Sequence, residues 1–252
     1  MLAISIAGFD PSGGAGILSD LKTFSALGIY GTGVITALTA QNVQRVSNIR
    51  PIELDFIEEQ IDLILEDLPV IYGKTGMLYS KEIIKSVSKK ISEYDLKIVV
   101  DPVMVAGSGS SLSQEGMASA IKKYLLKEAL IVTPNVFEAE LLSGINIETQ
   151  EDAIESAYKI GKLCDVVVTG GHLDGDNILY NGQIRVISGE LIESSNTHGS
   201  GCSFSAAITS YMSKGIEMEI AIKKADIFVK ESIKNGHWGT LNQFWKNNIN
   251  EK

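Results

Sequence analysis

With 252 residues and 44% hydrophobic content, the chain can bury an α/β core, and no Pro/Gly/Ser-rich linker or charge block divides it, so one domain over residues 1–252 is expected. Its net charge of −9 does not supply the basic surface that nucleic-acid backbones need, so no nucleic-acid partner is expected and any phosphate must be held by a local site. Two cysteines, Cys164 and Cys202, cannot form a disulfide framework, the start lacks a basic signal-peptide region, and no apolar run approaches membrane-spanning length, so a cytoplasmic protein with no membrane partner is expected.

In chain order, Leu2 to Ala7 reads as a buried strand, and Gly8 to Gly16 turns it into a helix over about 17–27 that Ser12 or Asp10 could cap. Ile17, Leu21, Phe24 and Leu27 form that helix's apolar arc, and Asp20 falls inside it, where a carboxylate needs a partner. Two readings stand for Asp20: an ion pair or hydrogen bond within the scaffold, or an acceptor for a small polar ligand. Gly33 to Thr39 is a second strand, with the polar residues Gln41 and Asn42 beyond its carboxyl end. The stripe Ile57, Ile61, Ile64, Leu65 and Leu68 is a helix ended by Pro69, and Val70 to Tyr72 is expected as a strand, with helix and strand alternating from there on.

Ile98 to Val103 and Leu130 to Asn135 read as strands whose ends offer Asp101 and Asn135, with Glu138 on the helix that follows. These oxygens suit Mg²⁺, which prefers hard ligands; the alternative is a helix cap, since Glu138 lies three residues after Asn135 in a capping-box relation. Val166 to Thr169 leads into Gly170-Gly171-His172, and Asn181-Gly182 between two apolar runs signals a hairpin that adds an antiparallel edge. The last long helix spans about 218–234, and the tail after Trp238 is polar and expected at the surface.

Between these lies Asn196-Thr197-His198-Gly199-Ser200-Gly201-Cys202, running into a helix whose buried face is Phe204, Ala207, Ile208, Tyr211 and Met212. A fixed helix start leaves N–H groups unpaired, and Gly199 and Gly201 allow close approach, which makes the stretch an anion cradle. Cys202 sits at its mouth, where the helix dipole would favour a thiolate; the alternative is a small packing residue. Gly73-Lys74-Thr75 is no P-loop, because Leu68 stands where the first glycine belongs, and Phe204 and Thr36 break the two possible dinucleotide fingerprints. Three histidines and two distant cysteines make no zinc site, and no Gly-x-Ser-x-Gly elbow appears.

The segments Ile6 to Gly16, Lys22 to Gly28, Asp101 to Ala106, Thr133 to Asn135 and Asn196 to Cys202 resemble, in order, the signatures of the hydroxymethylpyrimidine and phosphomethylpyrimidine kinases of thiamine biosynthesis, within the ribokinase-like group. The resemblance covers nearly the whole chain. It implies a ribokinase-like three-layer sandwich, a mostly parallel central sheet with helices on both faces, acting as a Mg²⁺-dependent kinase with ATP as phosphoryl donor and a family tendency to form homodimers. The substrate would be 4-amino-5-hydroxymethyl-2-methylpyrimidine and then its monophosphate.

By this resemblance Gly199, Ser200 and Gly201 form the hole for the transferring phosphoryl group, and Cys202 is the proton acceptor. Asp20 and Gln41 would meet the ring nitrogen and amino group, with Gly8, Thr39, Met77 and Val103 walling the ring. Asp101, Asn135 and Glu138 would be the metal-side residues, and Thr169, Gly171 and His198 would contact the nucleotide. Gly107 and Thr169 stand where lysines are frequent in the family, so other donors must meet the polyphosphate. The rivals are a pyridoxal kinase of the same fold, against which Gln41 and Met77 speak, and a non-catalytic pyrimidine sensor, against which Asp101, Glu138 and Cys202 speak.

Overall fold

The computed structural model describes residues 1–104, 116–171 and 175–246. The chain opens with β1 (Leu2–Phe9), α1 (Gly16–Ala26), β2 (Tyr30–Gln41), β3 (Val46–Pro51), α2 (Leu54–Asp67) and β4 (Tyr72–Thr75). There follow α3 (Lys81–Glu93), β5 (Lys97–Val100), a short α4 (Met117–Ala120) continued by irregular helical turns to Glu128, and β6 (Ala129–Val132). The rest is α5 (Val136–Ser143), α6 (Gln150–Ile160), β7 (Asp165–Val168), β8 (Asn177–Tyr180), β9 (Ile184–Ile187), α7 (Ser200–Ser213) and α8 (Met218–Lys234).

The nine strands among the described residues form one sheet in the order β3-β2-β1-β4-β5-β6-β7-β8-β9. The neighbours from β2 to β7 run parallel, and β3, β8 and β9 add antiparallel edges. Parallel strands are buried on both faces, so their apolar residues alternate between two cores. Ile98, Val100, Val132, Val166 and Val168 face the layer of α2, α3, α5 and α6. Val99, Ile131 and Val167 face α7 and α8, while α1 packs through Phe24 against Ala206 of α7. This is the three-layer, mostly parallel architecture that the resemblance implied.

Several local expectations shift. The strand expected at Val70 to Tyr72 lies at Tyr72–Thr75, because Gly73 pairs with Ile4 and Ile98 while Ile71 is exposed; the turn-like Gly-Lys-Thr is strand. Neither Ser12 nor Asp10 caps α1: its N-cap is Ala15, and Asp10 instead accepts the Ala15 N–H at 2.9 Å. The edge strand β3 and helices α3 and α6 were not placed individually, though α3 has its own N-cap, Ser80, accepting from the Ile83 N–H. The hairpin β8–β9 forms around Asn181-Gly182, with Gly182 at φ +86°. The tail is only partly a surface feature: Trp238 is 93% exposed, but Gln243 is buried and donates to Ser19 and Ser203 between α1 and α7.

Candidate active site

The strand order reverses direction between β1 and β4, and ligands in open α/β sheets bind beyond the carboxyl ends of strands at such a point. A cavity of about 790 Å³ opens there, lined by residues that directly follow β1, β4, β5, β6 and β7: Asp10, Gly76, Asp101, Thr133 and Thr169. Its far wall is the start of α7.

Gly199 caps α7 at φ +91°, and a Cβ there would sit 1.8 Å from the carbonyl oxygen of Gly14, so only glycine lets the two glycine-rich segments meet. The Ser200 N–H turns back to the Thr197 carbonyl at 3.1 Å. The Gly201 and Cys202 N–H groups have no partner among the described residues, and with the helix dipole they form a site for negative charge. Of the expected Gly199, Ser200 and Gly201, the Gly199 and Gly201 N–H groups are without a partner among the described residues and the Ser200 N–H is taken by Thr197, while Cys202 adds a further free N–H. Cys202 corrects a second expectation: burial pushes its thiol up to about 12, outweighing the pull of Lys74 and of the Gly16 N–H, so the free protein holds a thiol and not the thiolate.

The first glycine loop is tied to this helix by Asp10. Its Oδ1 accepts the Ser12 N–H, and its Oδ2 accepts from Ser12 Oγ and the Ala15 N–H. His198 Nε2 lies 2.8 Å from the same Oδ2. Burial opposes the charge, but the hydrogen bonds from His198, Ser12 and Gln41 together hold the Asp10 carboxyl well below the usual carboxylate range. His198 does line the cavity, yet its ring is engaged by Asp10 and packed over Gly14, so it fastens two loops.

Asp101 and Glu138 line the same cavity with Asn135. The capping reading of Asn135 and Glu138 is realised in full: the Glu138 N–H donates to Asn135 Oδ1 at 2.9 Å and the Asn135 N–H to Glu138 Oε2 at 3.0 Å. Burial first, and the charge of Asp101 second, push the Glu138 carboxyl up to about 8. The Glu138 carboxyl, whose charge burial and Asp101 disfavour, and Asp101, whose Oδ1 is without a partner among the described residues, are a donor set that a hard divalent cation suits.

Asp20 is the clearest correction. It does not line the cavity; it is fully buried behind it, with Oδ2 accepting from Ser5 Oγ at 2.6 Å and Oδ1 from Lys74 Nζ at 3.1 Å. Both oxygens are engaged by the scaffold, so none faces the pyrimidine expected there. Lys74 is the residue that sequence reasoning missed. It is fully buried, reaches Asp101 Oδ2 at 3.5 Å, and stays protonated, since Asp20 and Asp101 outweigh the burial that works against its charge. The one signal in the sequence was a buried acid, Asp20, that needed a partner, and Lys74 lies 54 positions away from it.

The remaining expected residues gather as read. Gly8, Thr39, Gln41, Met77 and Val103 line one end of the cavity, where a Cβ on Gly8 would strike Met77 Cε. Thr169 and Gly171 line the other end. Gly107 and His172 lie outside the described residues. No helix among the described residues is long and apolar enough to cross a membrane.

Comparison with known proteins agrees with this geometry. Residues 10–243 match the family model of phosphomethylpyrimidine kinase. The chain is 38% identical over 256 residues to the hydroxymethylpyrimidine/phosphomethylpyrimidine kinase of Bacillus subtilis, covering 96% of this chain and 94% of that one. It is 42% identical over 239 residues to the thiamine biosynthesis bifunctional protein ThiED of Geobacter sulfurreducens, covering 92% of this chain and only 49% of that longer protein. Among solved structures, an ADP complex of Bacillus subtilis pyridoxal kinase superposes with a TM-score of 0.86 at 39% identity, covering 96% of this chain and 94% of the other. Fold, cradle and full-length similarity coincide, and the chain belongs to the phosphomethylpyrimidine kinase family.

Proposed function

We propose that the chain transfers the γ-phosphoryl group of ATP to 4-amino-5-hydroxymethyl-2-methylpyrimidine, and then to its monophosphate. The observation that carries this reading is the single cavity in which Gln41, Met77 and Val103 face the unpaired N–H groups of Gly201 and Cys202. Gln41 can accept from an amino group and donate to a ring nitrogen, a pairing whose loss in a dry pocket costs about 1–3 kcal/mol. The N–H groups at the start of α7 hold the oxygens of the phosphoryl group in transit, and such fixed donors usually contribute more than proton removal.

Cys202 would accept the hydroxyl proton late in the transfer as the thiolate, its own proton having first passed to solvent, a step that the raised thiol of the free protein makes costly. Asp101 and Glu138, with Asn135, would hold Mg²⁺, which would neutralise charge on the transferring phosphates. Ser205 Oγ, donating to Asp101 Oδ2 at 3.1 Å, keeps that carboxylate oriented.

Release of ADP with Mg²⁺-ATP, measured in turn with hydroxymethylpyrimidine, its monophosphate and pyridoxal, tests the reading. Turnover fastest with the pyrimidines is expected; preference for pyridoxal would select the pyridoxal kinase reading, which the 39% identity to such a kinase makes the second choice. No turnover with any of them would leave the sensor. Cys202→Ala should lower kcat by about 10²- to 10⁴-fold, the usual span for a proton acceptor, with little change in KM for the pyrimidine.

A further inference from the structure

We propose that Lys230 is the cation that meets the nucleotide's polyphosphate, and that Asp226 positions it. The inference rests on the kinase reading above and concerns how this chain supplies charge that the lysine-poor strand ends do not. The cavity is lined by the acids Asp10, Asp101, Glu138, Glu190 and Asp226; among the described residues the bases that line it are His198 and one lysine, Lys230. Residues 105–115 and 172–174, outside the description, contain no lysine or arginine in sequence. Lys74 is engaged by Asp20 and Asp101 and does not line the cavity. A polyphosphate entering so acidic a space needs a positive partner besides any divalent cation.

Lys230 is placed to be that partner. It lies one turn after Asp226 on α8, with Nζ 2.5 Å from Asp226 Oδ2 and side-chain exposures of 17% and 18%. The other oxygen, Asp226 Oδ1, accepts from Asn177 Nδ2 at 3.2 Å, and Asn177 Oδ1 in turn accepts the Gly170 N–H at 3.1 Å. A continuous chain of hydrogen bonds thus joins the ammonium to the turn Thr169-Gly170-Gly171 after β7, the turn whose threonine stands where the family resemblance leads one to expect a lysine. Gly189 leaves the room: a Cβ there would lie 3.1 Å from Lys230 Nζ. The ammonium is therefore held at the cavity wall by one carboxylate, and an incoming phosphate competes with that carboxylate for it.

The two members of the pair must then act in opposite directions. In calorimetric titration with Mg²⁺-ADP, Lys230→Met should raise Kd about tenfold, the size of one charge-assisted contact, while Lys230→Arg stays within about threefold of wild type. Asp226→Asn keeps an oxygen for Asn177 but frees the ammonium, and should lower Kd a few-fold. KM for ATP should follow the same order, with KM for the pyrimidine unmoved.

A merely structural ion pair would weaken folding in both variants and would not tighten nucleotide binding in either. Lys230→Met within about twofold of wild type, or Asp226→Asn binding more weakly, overturns the proposal. If Lys230→Met fails to fold, the direction of the Asp226→Asn effect decides alone. A wild-type protein that binds no Mg²⁺-nucleotide overturns the kinase reading and this inference together; one that binds it while Lys230→Met is unchanged overturns only the inference.

Discussion

Glu138 and Cys202 carry the same lesson about single residues: position in sequence names a chemical group, and burial sets its charge. A helix N-terminus contributes about 0.3–1 kcal/mol toward a thiolate, which is under one pKa unit. Burial acts the other way and takes the Cys202 thiol from 9.0 to about 12, so desolvation wins over the dipole. For Glu138 burial and Asp101 raise the carboxyl from 4.5 to about 8. The folded state then keeps a proton that the unfolded chain releases, so this contribution to stability is complete below about 4.5 and is lost as pH rises through about 8. In metal-free buffer the melting temperature of the wild type should therefore fall, relative to Glu138→Gln, between about pH 6 and about pH 8.5, and Mg²⁺ should flatten that difference. Parallel melting curves across that range would show that Glu138 is ionised throughout.

Among the elements, the start of α7 matters most, because two loops from opposite ends of the chain converge there. Asp10 draws Ser12, Ala15 and His198 onto one carboxylate, and Gly199 passes the Gly14 carbonyl with no room for a side chain. Gly199→Ala must either open the φ of +91° or push the loop away, at a cost of about 1–3 kcal/mol. Turnover should fall further than stability does, since the N–H groups of Gly201 and Cys202 move with the helix start. Gly201→Ala has open space around its Cβ and lies inside the helix, so its melting temperature should equal or exceed that of the wild type. Thermal melts and kcat of the two variants, side by side, check this; equal losses in both would remove the special place given to Gly199.

For the molecule as a whole, the sheet separates two apolar layers that do not share side chains. Ile61 of α2 belongs to one and Ile208 of α7 to the other, both fully buried. Each Ile→Ala change should cost about 2–5 kcal/mol, and the double variant should equal the sum within about 0.5 kcal/mol in denaturant unfolding. A double variant far from additive would mean that the layers are coupled through the sheet.

What the sequence by itself determined is what depends on neighbours along the chain. The apolar runs at Ile98 to Val100 and Val166 to Val168, the hairpin at Asn181-Gly182, the capping box of Asn135 and Glu138, and the helix Met218–Lys234 all follow from residues within a few positions of one another. The ordered signatures carried the family and with it the fold. Only the tertiary structure decided the partners. Asp20 and Lys74 are 54 positions apart, and nothing local says that a lysine inside a strand would take one oxygen of Asp20 while Ser5 takes the other, withdrawing Asp20 from the cavity. The same holds for His198 on Asp10, 188 positions away, for Gln243 between α1 and α7, and for the edge strand β3, whose exposed residues lack an apolar alternation. Periodicity and turn chemistry are local properties of a chain; pairing and desolvation exist only once distant segments share a dry interior.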